Sequence, residues 1–284
     1  MISPMRKRSK TKVAFQGEPG AFSHAAARKL LGSEVEILPC PRFDEVFDAL
    51  KGKKATHAVI PIENTLHGSV HENYDHLLEY GLPIVGETSI RISHQLIAMP
   101  GTRFKDVRRV LSHPVALNQC VRFFKEHPEI ERVPHYDTAG SVKTLAAERP
   151  SHSAAIASAA AAEIYGGVIL KRGIEDDRQN FTRFFLLDRK PLKRTSTNGG
   201  WKTSIVFSTP NHPGSLFRAM ACFALRDLNL TKIESRPLRG KPWEYLFYVD
   251  LMGHASDAPV ANALGNLKEI SNMLRILGSY QPLD

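Results

Sequence analysis

Four short runs in this 284-residue chain gather side chains able to do chemistry. Pro61-Ile62-Glu63-Asn64-Thr65 sets a carboxylate, an amide and a hydroxyl directly after the apolar Ala58-Val59-Ile60. A strand end of that kind in an open α/β sheet faces the ligand crevice. The same residues also suit an Asx-type turn that only satisfies its own backbone. Gly68-Ser69, a few residues on, lets the backbone approach a ligand closely. Leu111-Ser112-His113-Pro114 is a second strand end, running into a helix whose N-terminus attracts anions. Asp137-Thr138-Ala139-Gly140-Ser141 is a third. Both of these also read as plain helix caps, the first with proline at the first helical position. In Asn180-Phe181-Thr182-Arg183-Phe184-Phe185 an arginine sits among aromatics. Its guanidinium fork either clamps a carboxylate or faces water from a sheet edge. There is no G-x-G-x-x-G, Walker loop, H-E-x-x-H or G-x-S-x-G, so dinucleotide, phosphate-loop, zinc-protease and serine-hydrolase chemistry have no foothold.

The elements that must position these runs alternate in period. Strands are expected at Val13–Phe15, Ala58–Ile60, Val107–Leu111 and Ala154–Ala157. Helices are expected at Phe22–Leu31, Glu45–Leu50, Pro114–Lys125, Thr138–Glu148 and Ala159–Tyr165. That alternation predicts parallel α/β layers with helices on both faces. Arg189–Lys202 is polar, charged and rich in turn formers, and reads as a linker. Beyond it come strand Thr203–Ser208, helix Ser215–Arg226, strands Asn229–Ser235 and Tyr245–Leu251, helix Ala258–Asn272 and strand Leu274–Tyr280. That order is βαββαβ, a ferredoxin-like unit.

Composition narrows the class. With 42% hydrophobic and 24% charged residues the chain has material for a sizeable core, and about two domains are expected at this length. No apolar stretch reaches the roughly 18 residues of a membrane helix, and no apolar segment follows the basic N-terminus as a secretory signal would require. Cys40, Cys120 and Cys222 are odd in number and far apart, which suits a reducing compartment better than a disulfide framework. The net charge is +9, but Arg6, Lys7, Arg8, Lys10 and Lys12 supply five of those charges with no acid among residues 1–12. That arm reads as a solvated tail, with nucleic acid or an anionic membrane as the other reading.

The runs also carry a resemblance. Gly17-Glu18-Pro19-Gly20-Ala21-Phe22-Ser23, Ile60–Thr65, Ser112-His113-Pro114 with Gln119-Cys120, Tyr136–Ser141, Ala154–Ser158, and Asn180 with Thr182-Arg183-Phe184 resemble, in order, the motifs of prephenate dehydratases. Asn211 with Pro213-Gly214-Ser215-Leu216 resembles the family's glycine-loop motif for binding phenylalanine, and Glu234-Ser235-Arg236-Pro237 resembles the Glu-Ser-Arg-Pro motif of its regulatory ACT domain. Thr65 stands where serine is more usual, and Val115 where many members have glutamine. The second departure puts a substrate contact at that position in doubt.

The resemblance implies a two-lobed α/β catalytic domain of periplasmic-binding-protein type, with the cleft between its lobes, and a C-terminal ferredoxin-like ACT domain. The implied domains are a basic arm, 1–11; a catalytic domain, 12–189, with one lobe about 12–90 plus 170–189 and the other about 91–169; a linker, 190–201; and an ACT domain, 202–284. The implied reaction is decarboxylating dehydration of prephenate to phenylpyruvate without metal or organic cofactor. Dehydration of arogenate directly to phenylalanine is the alternative, and a non-catalytic amino-acid sensor is the reading of a different class. Thr182 is expected to donate a hydrogen bond to the leaving hydroxyl, with Glu63, His113 or water as the proton source. Asn64, Thr65, Ser112 and Thr138 are expected as neutral donors, Arg183 as a carboxylate clamp, and Phe184 as a substrate contact. Asn211, Gly214, Ser215, Leu216, Ile233, Glu234 and Ser235 are expected to bind L-phenylalanine. A cytoplasmic homodimer or homotetramer, with no nucleic-acid or membrane partner, completes the expectation.

Overall fold

The computed structural model describes residues 11–194, 200–238, 240–241 and 243–283. Most of the basic arm and part of the expected linker lie outside the described residues. By contacts the chain forms two units, one ending at His76 and resuming over Thr88–Phe184, the other made of Leu77–Glu87 and Phe185 onward. This division by contacts falls within two strands, Ile84–Arg91 and Phe181–Leu187, and the expected linker lies further along the chain, near 190–201.

The chain begins with β1 (Lys12–Gln16), α1 (Phe22–Leu31), β2 (Glu36–Cys40), α2 (Phe43–Lys51), β3 (His57–Asn64), β4 (Gly68–Ser69), α3 (His71–Tyr80) and β5 (Ile84–Arg91). A second group follows: β6 (Gln95–Ala98), β7 (Arg109–Ser112), α4 (Pro114–Asn118), α5 (Val121–Glu126), β8 (Glu131–Pro134), α6 (Thr138–Glu148), β9 (Ser153–Ala157), α7 (Ala159–Tyr165) and β10 (Val168–Lys171). β11 (Phe181–Leu187) then returns to the first sheet, where the order is β11-β3-β1-β2. β1 runs parallel to β2 and β3, and β4 folds back on the end of β3. Val13–Phe15 and Ala58–Ile60 are fully buried, as strands covered on both faces should be.

The second sheet has the order β10-β6-β9-β7-β8. It corrects the parallel expectation: β6 is antiparallel to both β9 and β10, while β7 is parallel to β8 and β9. β6 is the strand on which the chain enters this lobe, so no crossover helix forces it parallel to its neighbours. The return to the first lobe comes after residue 171, because β10 still pairs with β6. The helix expected over Pro114–Lys125 is broken at Gln119-Cys120. The Asp176 carboxylate accepts the backbone N–H groups of Val121 and Arg122, both at 2.8 Å, and starts a new helix there.

The two lobes meet at Gly20. Its φ is +91°, and a Cβ there would lie 2.7 Å from the Ala161 Cα of α7. Ser158, the N-cap of α7, donates to the Gly20 carbonyl at 2.6 Å and accepts from Ala161 N.

The second unit is the expected βαββαβ: β12 (Lys202–Ser208), α8 (Ser215–Ala224), β13 (Leu230–Pro237), β14 (Tyr245–Met252), α9 (Ala258–Ile270) and β15 (Met273–Tyr280). Its sheet has the order β13-β14-β12-β15 and is antiparallel throughout. Alternate residues Ile205 and Phe207, with Val249 and Leu251, form a buried face beneath Ala219 and Phe223 of α8 and Val260, Ala263 and Leu267 of α9. No helix among the described residues is long and apolar enough to cross a membrane.

Candidate active site

The first unit encloses a cavity of about 280 Å³. Strand ends and helix starts build it. β1 supplies Gln16, β3 supplies Asn64, and α1 supplies Phe22 and Ser23. The second lobe supplies His113, Gln119, Asp137 and Thr138, the segment between β5 and β6 supplies His94, and β11 supplies Thr182 and Phe184. Phe22, Val70, Ile92 and Phe184 give it apolar wall. It adjoins a cleft of about 610 Å³ that shares His113, Val115, Asp137 and Thr138 and adds Arg42 and the exposed Glu72.

Asn64 organises the reacting end. Its Oδ1 accepts the backbone N–H groups of Leu66 and His67, both at 3.0 Å, which is an Asx turn. That leaves Nδ2 to donate to Asn180 Oδ1 at 2.7 Å, Thr182 Oγ1 at 2.9 Å and the Phe181 carbonyl at 3.1 Å. The amide orientation is thus fixed by its network. Because Thr182 Oγ1 accepts from Asn64, its own proton is directed elsewhere. The amide also draws electron density from the hydroxyl oxygen and makes it a better donor. A threonine hydroxyl remains too weak an acid to release its proton outright, so its part is a hydrogen bond or a relay.

Two histidines stand on the cavity wall. His113 caps α4, its Nδ1 accepting from Val115 N at 3.3 Å, so the neutral ring carries its proton on Nε2. Burial lowers its pKa, with the Asp137 charge opposing. His94 is 2% exposed and its Nε2 lies 2.7 Å from Gln119 Oε1. Gln119 Nε2 lies 3.1 Å from His67 Nδ1, which gives an imidazole–amide–imidazole chain. Burial also lowers the His94 pKa, against the Gln119 bond and the Glu175 charge. The chain is held from behind, since Glu175 accepts from His94 N and Asp176 N donates to the Gln119 carbonyl.

These shifts have a sign. A histidine with a lowered folded pKa takes up its proton first in the unfolded chain. Its full contribution to stability is present above about pH 6.5, the unfolded value, and is lost as pH falls toward the folded one. The melting temperature is therefore expected to drop between about pH 7.5 and pH 5.5. The drop should be smaller in His94→Gln; an equal slope in wild type and variant would place the titration elsewhere.

The cavity brings together only part of the expected site. Thr182, Asn64, His113, Thr138 and Phe184 line it, and so does Val115. Glu63 and Arg183 do not: they lie 3.8 Å apart on neighbouring strands, as an ion pair. On β11 strand alternation is the reason, because Thr182 and Phe184 turn to the cavity and Arg183 between them turns away. Thr65 Oγ1 donates to the Gln179 carbonyl and accepts from Phe181 N, which clips β3 to β11. Ser112 is fully buried and donates to the Ile156 carbonyl at 2.6 Å. Asp137 opens the third of the runs singled out in the sequence, whereas His94 and His67 lie outside all four. Asp137 showed as a cap, Gln119 appeared only inside a family string, and His94 sits in no motif.

In the second unit, Gly214 has φ +78° and is the N-cap of α8, so the left-handed turn explains that glycine. Ser215 is buried and Leu216 exposed beside it. On β13, Ile233 lies opposite Val249 and Glu234 opposite Tyr248. The expected effector set is thus split: Ile233 and Glu234 take opposite faces of one strand, and Glu234 pairs with Lys232 at 3.7 Å.

Residues 13–192 match the prephenate dehydratase family and residues 203–269 the ACT domain. The chain is 46% identical to arogenate dehydratase/prephenate dehydratase 2, chloroplastic, of Arabidopsis thaliana, over 97% of this chain and 74% of that protein. It is 44% identical to arogenate dehydratase 2 of Petunia hybrida, over 96% and 72%. Among solved structures, prephenate dehydratase from Arthrobacter aurescens in complex with L-Phe superposes with a TM-score of 0.86 at 34% identity, over 95% of this chain and 90% of that one.

Proposed function

Since this chain belongs to the prephenate dehydratase family and carries an ACT domain, we propose that its preferred substrate is arogenate, with L-phenylalanine, CO2 and water as products. The family assignment makes it a lyase of phenylalanine biosynthesis with ACT-mediated regulation. Prephenate, the substrate first expected, differs from arogenate only in bearing a keto group where arogenate bears an ammonium. The plant relatives named for arogenate favour the second substrate.

The chemistry needs no redox partner. The bond from the ring to its carboxylate breaks, and its electron pair moves through the diene. The C4–O bond breaks at the other end, and the departing hydroxide takes a proton to leave as water. Aromatisation drives both cleavages. The observation that carries the reading is the Thr182 hydroxyl, held by Asn64 at 2.9 Å inside a largely apolar cavity. Thr182 donates to the leaving oxygen, and the neutral His113 presents its Nε2–H to the same space. Gln119, held between His94 and His67, is a further neutral donor. No side chain caps the N-terminus of α1, so its first N–H groups, at Phe22 and Ser23, receive a substrate carboxylate. The apolar wall leaves the ring carboxylate poorly solvated, which favours its loss as CO2.

The relative solved in complex with L-Phe supports L-phenylalanine as the effector, and the motif at Gly214, Ser215 and Leu216 supports the ACT unit as its place. The full chain acts as a homodimer or homotetramer. Parallel assays of purified protein on arogenate and prephenate test the substrate. A higher kcat/KM for arogenate is expected; a higher value for prephenate would return the reading to the keto acid.

A further inference from the structure

The cavity has an unusual charge content for a pocket that takes a dicarboxylate. Among the described residues no lysine or arginine lines it, and its single acidic side chain is Asp137. Asp137 is 8% exposed and sits where the cavity and the adjoining cleft meet. Its Oδ1 accepts from Gly140 N at 2.6 Å, as the cap of α6. Its Oδ2 lies close against Gly17, where a Cβ would stand only 2.9 Å away, so glycine is what lets the carboxylate sit beside that loop. An ionised carboxylate has about four acceptor sites, and the cap and a backbone bond from the Glu18 loop use only part of them.

Resting on the arogenate reading, we propose that Asp137 is the specificity-determining residue, its carboxylate receiving the substrate ammonium. The two candidate substrates differ at one group. An ammonium donates three hydrogen bonds and carries charge opposite to Asp137. A keto oxygen only accepts, so a carboxylate beside it gains nothing and repels it. The rest of the recognition is common to both substrates, because neutral donors and the α1 N-terminus meet carboxylates alike. One buried charge at the junction is therefore enough to separate amine from ketone.

Capping alone would also account for an aspartate here, and the test separates the two roles. Asparagine and serine cap helices about as well as aspartate. Asp137→Asn and Asp137→Ser therefore keep the helix start and remove the charge. The readout is the ratio of kcat/KM for arogenate to that for prephenate, with thermal unfolding of each variant as the check on folding. The ratio is expected to fall about 10- to 100-fold in both variants, the size of a charge-assisted hydrogen bond. An unchanged ratio, with both activities reduced together, would overturn the proposal and leave Asp137 a cap. The arogenate reading fails separately, and earlier, if wild-type protein itself prefers prephenate.

Discussion

Thr182→Val is expected to lose roughly 100- to 1,000-fold in kcat/KM, the usual cost of removing one oriented donor from a site of developing charge. Valine keeps the shape of threonine, so the wall between Asn64 and Phe184 stays filled. Asn64 keeps two of its acceptors, Asn180 Oδ1 and the Phe181 carbonyl, so the loop it anchors stays in place. The loss should therefore appear in kcat, with melting temperature nearly unchanged. Thr182→Ser, which restores the hydroxyl, should recover most of the rate. A Thr182→Val enzyme within threefold of wild type on either substrate would remove Thr182 from the mechanism and leave His113 as the principal donor.

Gly20→Ala is expected to destabilise the first unit by about 2–4 kcal/mol, through two separable causes. One is local: φ is +91°, where an L side chain is strained. The other is tertiary: the new Cβ would lie 2.7 Å from the Cα and 3.0 Å from the N of Ala161, both backbone atoms that cannot rotate away. Gly101→Ala is the matched control, because its φ is +94° and nothing lies within 4 Å of the place its Cβ would take. Urea unfolding of the three proteins divides the total into strain, seen in both variants, and collision, seen only at Gly20. Equal losses at the two glycines would mean that the lobes part easily at this contact. If they do not part, Ala21–Ser23 must shift, and the Michaelis constant should rise as the α1 N-terminus leaves its place.

Several elements were legible from local chemistry. α1, α6 and α7 begin and end as the alanine-rich faces and the Asp137 and Ser158 caps require. The βαββαβ order of the second unit followed from its change of period. Other features rest on distant residues and left no local trace. The break at Gln119-Cys120 depends on Asp176, more than fifty positions away, whose carboxylate offers a better start than the continuing helix. The antiparallel placing of β6 depends on where the chain enters the second lobe. Arg183 stands outside the cavity lining for a reason that the strand period already contains. If Thr182 and Phe184 face a ligand from a strand, Arg183 between them faces the other way. His94 was invisible because its role comes from Gln119 and Glu175, which reach it only after folding.

The bond between Asn64 and Thr182 joins positions 118 residues apart. Between them the chain makes the entire second sheet, from β6 to β10. During synthesis the first lobe therefore waits, its β3 edge open, while a whole lobe is completed behind it. A nascent chain that stops before Asn180 holds every other polar group of the cavity wall in its sequence, yet has neither the strand that closes that edge nor the hydroxyl that meets the substrate. Such long-range closure is slow and leaves an exposed strand edge in the meantime. The donor is thus among the last parts of the catalytic unit to be made, and activity reports that the whole unit has closed.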